Sequence, residues 1–455
     1  MFVGELINNM QSQEKYIETI IIGAGISGLC LSHHLKDHDY LIFESSDVVG
    51  GKITTQFSDG SLFEYGPNSL MLRSNDVKDL ISELNLENDL VFAQKSSSAR
   101  YLAKGTSLIK ITPLNLITKI LDFNFFYKIL TLTYTKKTTD ENETVFDFFQ
   151  RKLGTAFTKY IITPFVSGIY AGDPHKLLIK GAFKKIFQLE KEYNSLIIGA
   201  LSSKKQKKHK IDSGIASFKE GLIQICNTLY ENSKNKILCN RKVQSITKVN
   251  DKYKITVNDK IYSCKNLILT IPAYNASSLL KGFLPETFIY SLDKINYPWL
   301  MVAQVLIPKT EIKLNNRGFG FLQIPDKNSK VLGCLFNSYM FPKKAKPGYE
   351  LFTCFVGGSK SPGFKDIPTK QLQSEVIDYL AQVLKINNTK SIQITSMNWE
   401  QSIPQYDQNQ NNFSQQLLKM TECQKNLYFC SNYVSGVSLP DCISNAKNMA
   451  NLINS

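Results

Sequence analysis

The chain has few of the residues that build disulfide, metal and membrane-spanning scaffolds. Its nine cysteines, an odd number, include no pair spaced C-x-x-C. That excludes a disulfide framework, a zinc ribbon and a redox dithiol, and it fits a reducing compartment. Only five histidines occur in 455 residues. Three of them, His33, His34 and His38, fall in and just past the last turn of one helical stretch, where a cation suits the helix dipole. No nearby cysteine or acid is expected to complete a site, so no metal is expected. No uncharged apolar run approaches the roughly 18 residues needed to cross a bilayer. Residues Met1 to Lys15 lack the basic start, apolar stretch and small-residue cleavage site of a signal peptide. The expectation is a cytoplasmic protein that at most rests peripherally on a membrane.

Acidic residues are also in short supply, 39 against 54 lysines and arginines, for a formal charge of +15. Such an excess favours polyanions, anionic lipid head groups or acidic small molecules. The one dense basic run, Lys204 to Lys210, has no zinc-finger spacing and no aromatic-glycine RNA motif beside it. It reads as a solvated loop, and nucleic acid is set aside as a partner. Internal repeats are absent, and nothing reads as extended disorder. The length suits two or three domains.

The first fifty residues are the most informative. Tyr16 to Ile22 is short, β-branched and apolar, as a buried parallel strand should be. Gly23-Ala24-Gly25-Ile26-Ser27-Gly28 follows, then a helical stretch to Lys36 and a second strand, Tyr40 to Phe43, ending in Glu44. Gly23 permits the tight turn, Gly25 lets backbone N–H groups approach a pyrophosphate, and Gly28 lets the helix pack on the strand. Glu44 is placed to accept hydrogen bonds from a ribose hydroxyl. Val49-Gly50-Gly51-Lys52 adds a second close-approach loop, which a pure NAD domain does not need. In the large flavoprotein superfamily Gly51 and Lys52 would continue the grip on the pyrophosphate and ribose. An acid at 44 disfavours a 2′-phosphate, so the expected cofactor is FAD.

Later segments resemble the protoporphyrinogen/coproporphyrinogen oxidase branch of the amine-oxidase-like flavoproteins, from about Ile17 to Ile453. Phe63-Glu64-Tyr65-Gly66-Pro67-Asn68-Ser69 is similar to the family's F-E-x-G-P-N-S. The resemblance implies a turn at Gly66 and Pro67 beside the flavin, with Asn68 offering its amide to flavin or substrate. Pro164 to Pro174 is similar to P-F-x-x-G-[IV]-Y-A-G-D-P and includes Gly172, implied to lie near substrate. Glu192 to Leu196 resembles E-Y-G-S-[LI]. Gly318-Phe319-Gly320 and Phe355 to Gly358 resemble two strands lining a substrate cavity, with Phe319, Phe321 and Phe355 as candidates to sandwich a macrocycle. Asn432 to Leu439 resembles the closing motif, which implies that Val437 and Ser438 lie at the flavin edge. Arg100 stands where the family places its propionate-binding arginine, and a guanidinium suits a carboxylate through two parallel hydrogen bonds. Val243 is the candidate backbone contact to adenine. Asn194, Glu220, Ser431 and Asn445 depart from the pattern at packing or turn positions, which puts local geometry and catalytic efficiency in doubt.

The implied fold is α/β, α+β overall. A Rossmann-like FAD domain (16–80, 211–275, 425–455) interleaves with a mixed-sheet substrate domain (81–110, 276–424) and a helical domain (111–200). Leu114 to Leu132 is apolar almost all round, so it is either buried in protein or dips into a membrane surface, and both can hold. The implied activity is oxidation of protoporphyrinogen IX to protoporphyrin IX in three two-electron steps. Oxygen is the simplest acceptor and a quinone an alternative. No catalytic acid–base pair is assigned, since the chemistry belongs to the cofactor. Coproporphyrinogen III is the nearest rival substrate. An amine oxidase, a carotenoid desaturase and an inactive porphyrin-binding flavoprotein are more distant rivals. Oligomeric state is not legible.

Overall fold

The computed structural model describes residues 14–130, 140–193, 209–313, 317–326 and 329–455. A five-stranded, all-parallel sheet lies at its centre, in the order Ile237–Leu238, Tyr40–Phe43, Thr19–Ile22, Asn266–Leu269, Leu427–Phe429. These strands are continuous apolar runs because both faces of the sheet are covered. Alternate residues serve different layers: Ile21, Ile42 and Ile268 pack under the helices Ile26–His34 and Leu439–Asn454, while Ile20, Ile22, Leu41, Phe43, Leu267 and Leu269 pack on the other side. Burying each such side chain contributes roughly 1.5–3 kcal/mol. The expected strand from Tyr16 is shorter: Lys15–Tyr16 leaves the sheet and pairs with Tyr262–Ser263 instead.

A seven-stranded mixed sheet forms the second body, ordered Gln393–Trp399, Leu300–Pro308, Tyr349–Gly357, Val331–Leu335, Gly320–Gln323, Arg100–Lys104, Ser107–Lys110. Helix Thr369–Leu384 covers one face, and helix Thr163–Tyr170 lies against the other. The latter packs closely because Gly168 has no side chain; a Cβ there would stand 2.3 Å from Leu322 Cδ2.

The structure redraws parts of the expected domain map. Leu90–Phe92, expected in the substrate domain, pairs with Gly214–Phe218 beside Leu70–Leu72. Helices Ala273–Leu280, Glu286–Asp293 and Gln408–Cys423 pack beneath the parallel sheet, where Phe288 and Phe413 meet Phe429. Apolar helix faces report burial but not which sheet they cover.

The apolar stretch from Leu114 breaks into two helices, Pro113–Lys119 and Phe123–Leu130. Asp122 ends the run by accepting a hydrogen bond from Phe125 N at 2.9 Å, a cap that a continuous helix has no place for. Ile120 is buried, Leu116 and Leu121 pack beside Leu102 and Ile324, and Phe125 stacks on Phe157. Leu114, Ile117, Phe123, Phe126, Tyr127 and Ile129 are exposed, Phe123 by 85%. Thr131 and Leu132 lie outside the described residues, as do Asn194 to Leu196 and Lys204 to Lys208. Among the described residues no helix is long and apolar enough to cross a membrane.

The histidines need one correction. Glu83 reaches His33 across the helix packing, Oε2 to Nε2 at 2.7 Å, with His34 beside them. An acid is therefore present, brought in by helix Asn75–Glu83, fifty residues away in sequence.

Candidate cofactor and substrate site

The glycine loop forms the floor. Gly23 sits at φ +106°, and a Cβ there would stand 2.8 Å from Ile271 Cγ2. At Gly28 a Cβ would lie 2.0 Å from Gly23 O, so the helix rests directly on the turn. Gly25 differs: it caps the helix Ile26–His34 with no side chain on its N–H groups, and a Cβ there would meet nothing within 4 Å. The open space faces helix N–H groups that no side chain caps among the described residues, as an anionic pyrophosphate requires. Ala24, Ile26 and Ser27 are buried around it. Gly51, at φ +60°, brings its missing Cβ within 3.3 Å of Gly25 Cα, and Gly50 N donates to Ala24 O at 2.9 Å. The two glycine loops are one surface.

Glu44 closes one end of that surface. Its Oε2 accepts from Ala24 N at 2.7 Å and its Oε1 from Ser46 N at 2.9 Å. Each oxygen keeps acceptor capacity for a ribose hydroxyl. Val243 is buried at the start of strand Val243–Val249, packed in the layer that holds Leu41 and Phe43.

At the other end Lys52 leaves the loop, donates to Gln401 O at 2.5 Å and lies 4.6 Å over the Trp399 ring. Burial lowers its pKa to about 8. Gly66 is forced by the same loop, since a Cβ there would stand 1.9 Å from Lys52 O. Trp399 Nε1 donates to Tyr65 O at 2.7 Å, so the turn through Pro67 is held from both sides. Ala171, at φ +50°, ends helix Thr163–Tyr170, and its carbonyl accepts from Ser359 N at 2.7 Å. Gln405 Nε2 donates to Tyr170 O at 2.9 Å, and a Cβ on Gly172 would collide with the Gln405 side chain. Tyr406 OH donates to Asn432 O at 2.6 Å, which carries the ring of contacts to the closing motif. There Gly436, at φ +137°, precedes Val437 and the exposed Ser438, which caps helix Leu439–Asn454 in a reciprocal pair with Asp441. That helix presents its positive end beside the loop.

Asn68 has a different place from the one expected of a ligand contact. It is buried, its Nδ2 donates to Gly66 O at 3.1 Å, and its Oδ1 accepts from Asn337 Nδ2 at 2.9 Å. Behind it lies a polar network that sequence reasoning missed. Glu64 is fully buried and accepts from Lys344 Nζ at 3.0 Å, from Leu222 N at 2.9 Å and from Thr55 Oγ1 at 2.5 Å. Lys344 also donates to Asn68 O at 3.3 Å, and burial lowers its pKa despite Glu64. Gln304 donates to Glu64 O. Three separate chain segments meet on one carboxylate. The signal available in sequence was a glutamate inside an otherwise apolar segment.

The substrate candidates divide. Arg100 is exposed at the start of its strand, with its guanidinium carbon 5.1 Å from the centre of the half-buried Phe319 ring. Its described hydrogen bond goes to Ser98 O at 3.3 Å, and no described ion pair holds it. Phe355 is half-buried beside Leu332 and Trp399, on the sheet face toward Ala171. Phe321 points the other way: it is 3% exposed and packs against Phe336 and Tyr379 in the core. Adjacent strand residues face opposite sides, so Phe319 and Phe321 could serve together only on the face they share, and that of Phe321 is filled.

Three departures are accommodated. Ser431 has extended backbone (φ −139°), and Glu220 does not adopt positive φ, so neither position needs glycine for its backbone angles. Asn445 directs Nδ2 to Cys430 Sγ at 3.4 Å.

The sequence model described as flavin containing amine oxidoreductase matches residues 26–454. Protoporphyrinogen oxidase 1, chloroplastic, of Spinacia oleracea is 30% identical over 94% of this chain and 83% of its own length. The coproporphyrinogen III oxidase of Bacillus subtilis is 24% identical over 96% of this chain and 97% of its own. A solved Exiguobacterium structure, provisionally named a protoporphyrinogen oxidase, superposes with a TM-score of 0.78 at 21% identity, covering 96% of this chain and 98% of that one.

Proposed function

Because the chain belongs to the flavin-containing amine oxidoreductases, in the protoporphyrinogen/coproporphyrinogen oxidase family, and is an FAD-dependent oxidoreductase, we propose that it oxidises protoporphyrinogen IX to protoporphyrin IX, with oxygen as acceptor. The balance is six hydrogens removed in three two-electron steps, with three O2 reduced to three H2O2. Bound FAD supplies the hydride acceptor. The chain's own residues bind and orient. The Gly25–Gly51 surface, Glu44 and the two helix N-termini would hold the cofactor, while Trp399 and Gly66 fix the turn through Pro67 and Gln405 fixes the Tyr170–Gly172 segment.

The observation that carries the substrate reading is Arg100: an exposed guanidinium without an ion pair among the described residues, set over Phe319 at the edge of an apolar sheet face. An apolar macrocycle with carboxylate arms suits that combination. A second reading, coproporphyrinogen III, is favoured by the Bacillus relative, which matches over nearly its whole length.

The exposed ridge Leu114, Ile117, Phe123, Phe126, with Lys119 and Lys128 on the same segment, supports peripheral contact with a membrane by a cytoplasmic protein. Supply of an apolar substrate from the lipid phase fits this placement.

Anaerobic stopped-flow reduction with each porphyrinogen tests the function. Bleaching of the flavin band by one or both, followed by porphyrin fluorescence in air, is the expected result. Arg100→Ala should lower kcat/KM by about 10- to 100-fold, mainly through KM, the range of one charge-assisted hydrogen bond. An FAD-loaded protein that neither substrate reduces would end the porphyrinogen reading.

A further inference from the structure

We propose that the hollow at the free corner of the seven-stranded sheet is a binding site for a phosphate-class anion. The hollow has a volume of about 430 Å³ and is walled by Lys110, Lys119, Arg317, Asn115 and Tyr101 together with two aliphatic side chains. Three structural elements deliver the cations. Lys110 ends the edge strand Ser107–Lys110, Lys119 ends helix Pro113–Lys119, and Arg317 precedes strand Gly320–Gln323. Strand register brings them to one corner, since Tyr101 pairs with Lys110, and Gly320 with Arg100 next to Tyr101.

Among the described residues Lys110, Lys119 and Arg317 stay unpaired while the groups around them are tied. Tyr101 OH donates to Arg317 O at 3.1 Å, Asn115 Nδ2 donates to Lys110 O at 2.9 Å, and Thr112 Oγ1 accepts from Asn115 N at 3.2 Å. These bonds fix the backbone that carries two of the cations. Among the described residues no wall residue is acidic and none of the three charged ends has an ion pair. Three convergent like charges repel one another, and a counter-anion in the hollow relieves that repulsion.

The chemistry favours phosphate over carboxylate. One guanidinium fork satisfies a carboxylate, whereas a tetrahedral dianion with several oxygens matches one fork and two point charges from different directions. The volume leaves room for an organic substituent. The hollow is distinct from the porphyrinogen site in its lining: neither Arg100, Phe319 nor Phe355 walls it. The inference therefore does not depend on porphyrinogen turnover. Two sources have this chemistry, a soluble phosphoester and the head group of a phospholipid lying against the neighbouring Leu114 and Ile117.

The test uses FAD-loaded full chain at near-physiological salt. Glycerol 3-phosphate and inorganic phosphate are titrated calorimetrically, and phosphatidylcholine vesicles with and without phosphatidylglycerol are tested by flotation. The wild type is compared with Lys119→Glu/Arg317→Glu and with a charge-matched control, Lys260→Glu/Lys281→Glu, at exposed sites elsewhere. Retained flavin absorbance and thermal midpoint confirm that each variant is folded. The expected result is at least tenfold weaker binding in the corner variant, with the control close to wild type. Loss with the soluble phosphates alone assigns a soluble ligand, and loss confined to or shared by the phosphatidylglycerol vesicles assigns a head group. Equal behaviour of the two double variants, or no binding of any probe by the wild type, overturns the proposal.

Discussion

Residues 19–43 and 113–130 are both rich in apolar side chains, yet the molecule uses them in opposite ways. In the first, every strand residue is buried on a sheet covered from both sides, and the glycine turn brings helix and strand into contact. In the second, one stripe is buried and the other, from Leu114 to Ile129, is exposed. Apolar composition thus reports that a segment avoids water and is silent on what covers it. The glycines and the acid beside the first segment supply the missing information, because each has a specific steric or hydrogen-bonding task.

The contrast breaks most severely at Gly28. Gly28→Ala sets a methyl 2.0 Å from a carbonyl oxygen and should abolish both folding yield and flavin retention, a cost beyond the 1–3 kcal/mol or so of ordinary overpacking. Gly25→Ala should fold with a thermal stability within about 1 kcal/mol of wild type yet bind FAD at least tenfold more weakly, because its methyl enters the open cradle. Flavin content by absorbance, paired with thermal melting of the apoprotein, separates the two. Equal behaviour of the two variants would show that the loop is merely a turn.

Next in size is the buried pair. Lys344→Met leaves Glu64 charged and unpaired and should cost about 3–5 kcal/mol in urea denaturation. Adding Glu64→Gln should recover most of that loss, since the stranded charge is then gone. A single variant as stable as wild type would show that the Lys344–Glu64 pair does not hold this network together.

The smallest effect is expected on the ridge. Phe123→Ser should change stability by no more than about 0.5 kcal/mol, because the ring is already 85% exposed. It should still weaken adsorption to vesicles. A large destabilisation would place the ring inside a protein contact.

What could be read in advance follows from this difference. Gly23, Gly25, Gly28 and Glu44 lie within one strand–helix–strand unit, so their spacing alone carries the geometry. The strand at Tyr40 was legible from short-range pattern for the same reason. Glu64 and Lys344 meet across 280 residues, and neither has a local pattern that names the other. Glu83 beside His33, Leu90–Phe92 beside Gly214–Phe218, and Phe321 turned to the core are likewise products of tertiary pairing. The break at Asp122 was visible as a capping residue inside an apolar run, and there the apolar periodicity outweighed it.

The central sheet also sets an order of events in biosynthesis. Its strand Leu427–Phe429 and the helix behind Ser438 are made last, while the glycine loop is made first. At about 5–20 residues per second, the sheet waits roughly 20–80 s between its first strand and its last, which pairs with Asn266–Leu269. Until then the central strand Asn266–Leu269 is left as an unpaired edge and the cradle lacks one of its two helix ends. Tight flavin retention therefore reports a chain made through strand Leu427–Phe429 and the helix behind Ser438, and one stopped before them should leave the ribosome colourless and prone to aggregate through the exposed Asn266–Leu269 strand.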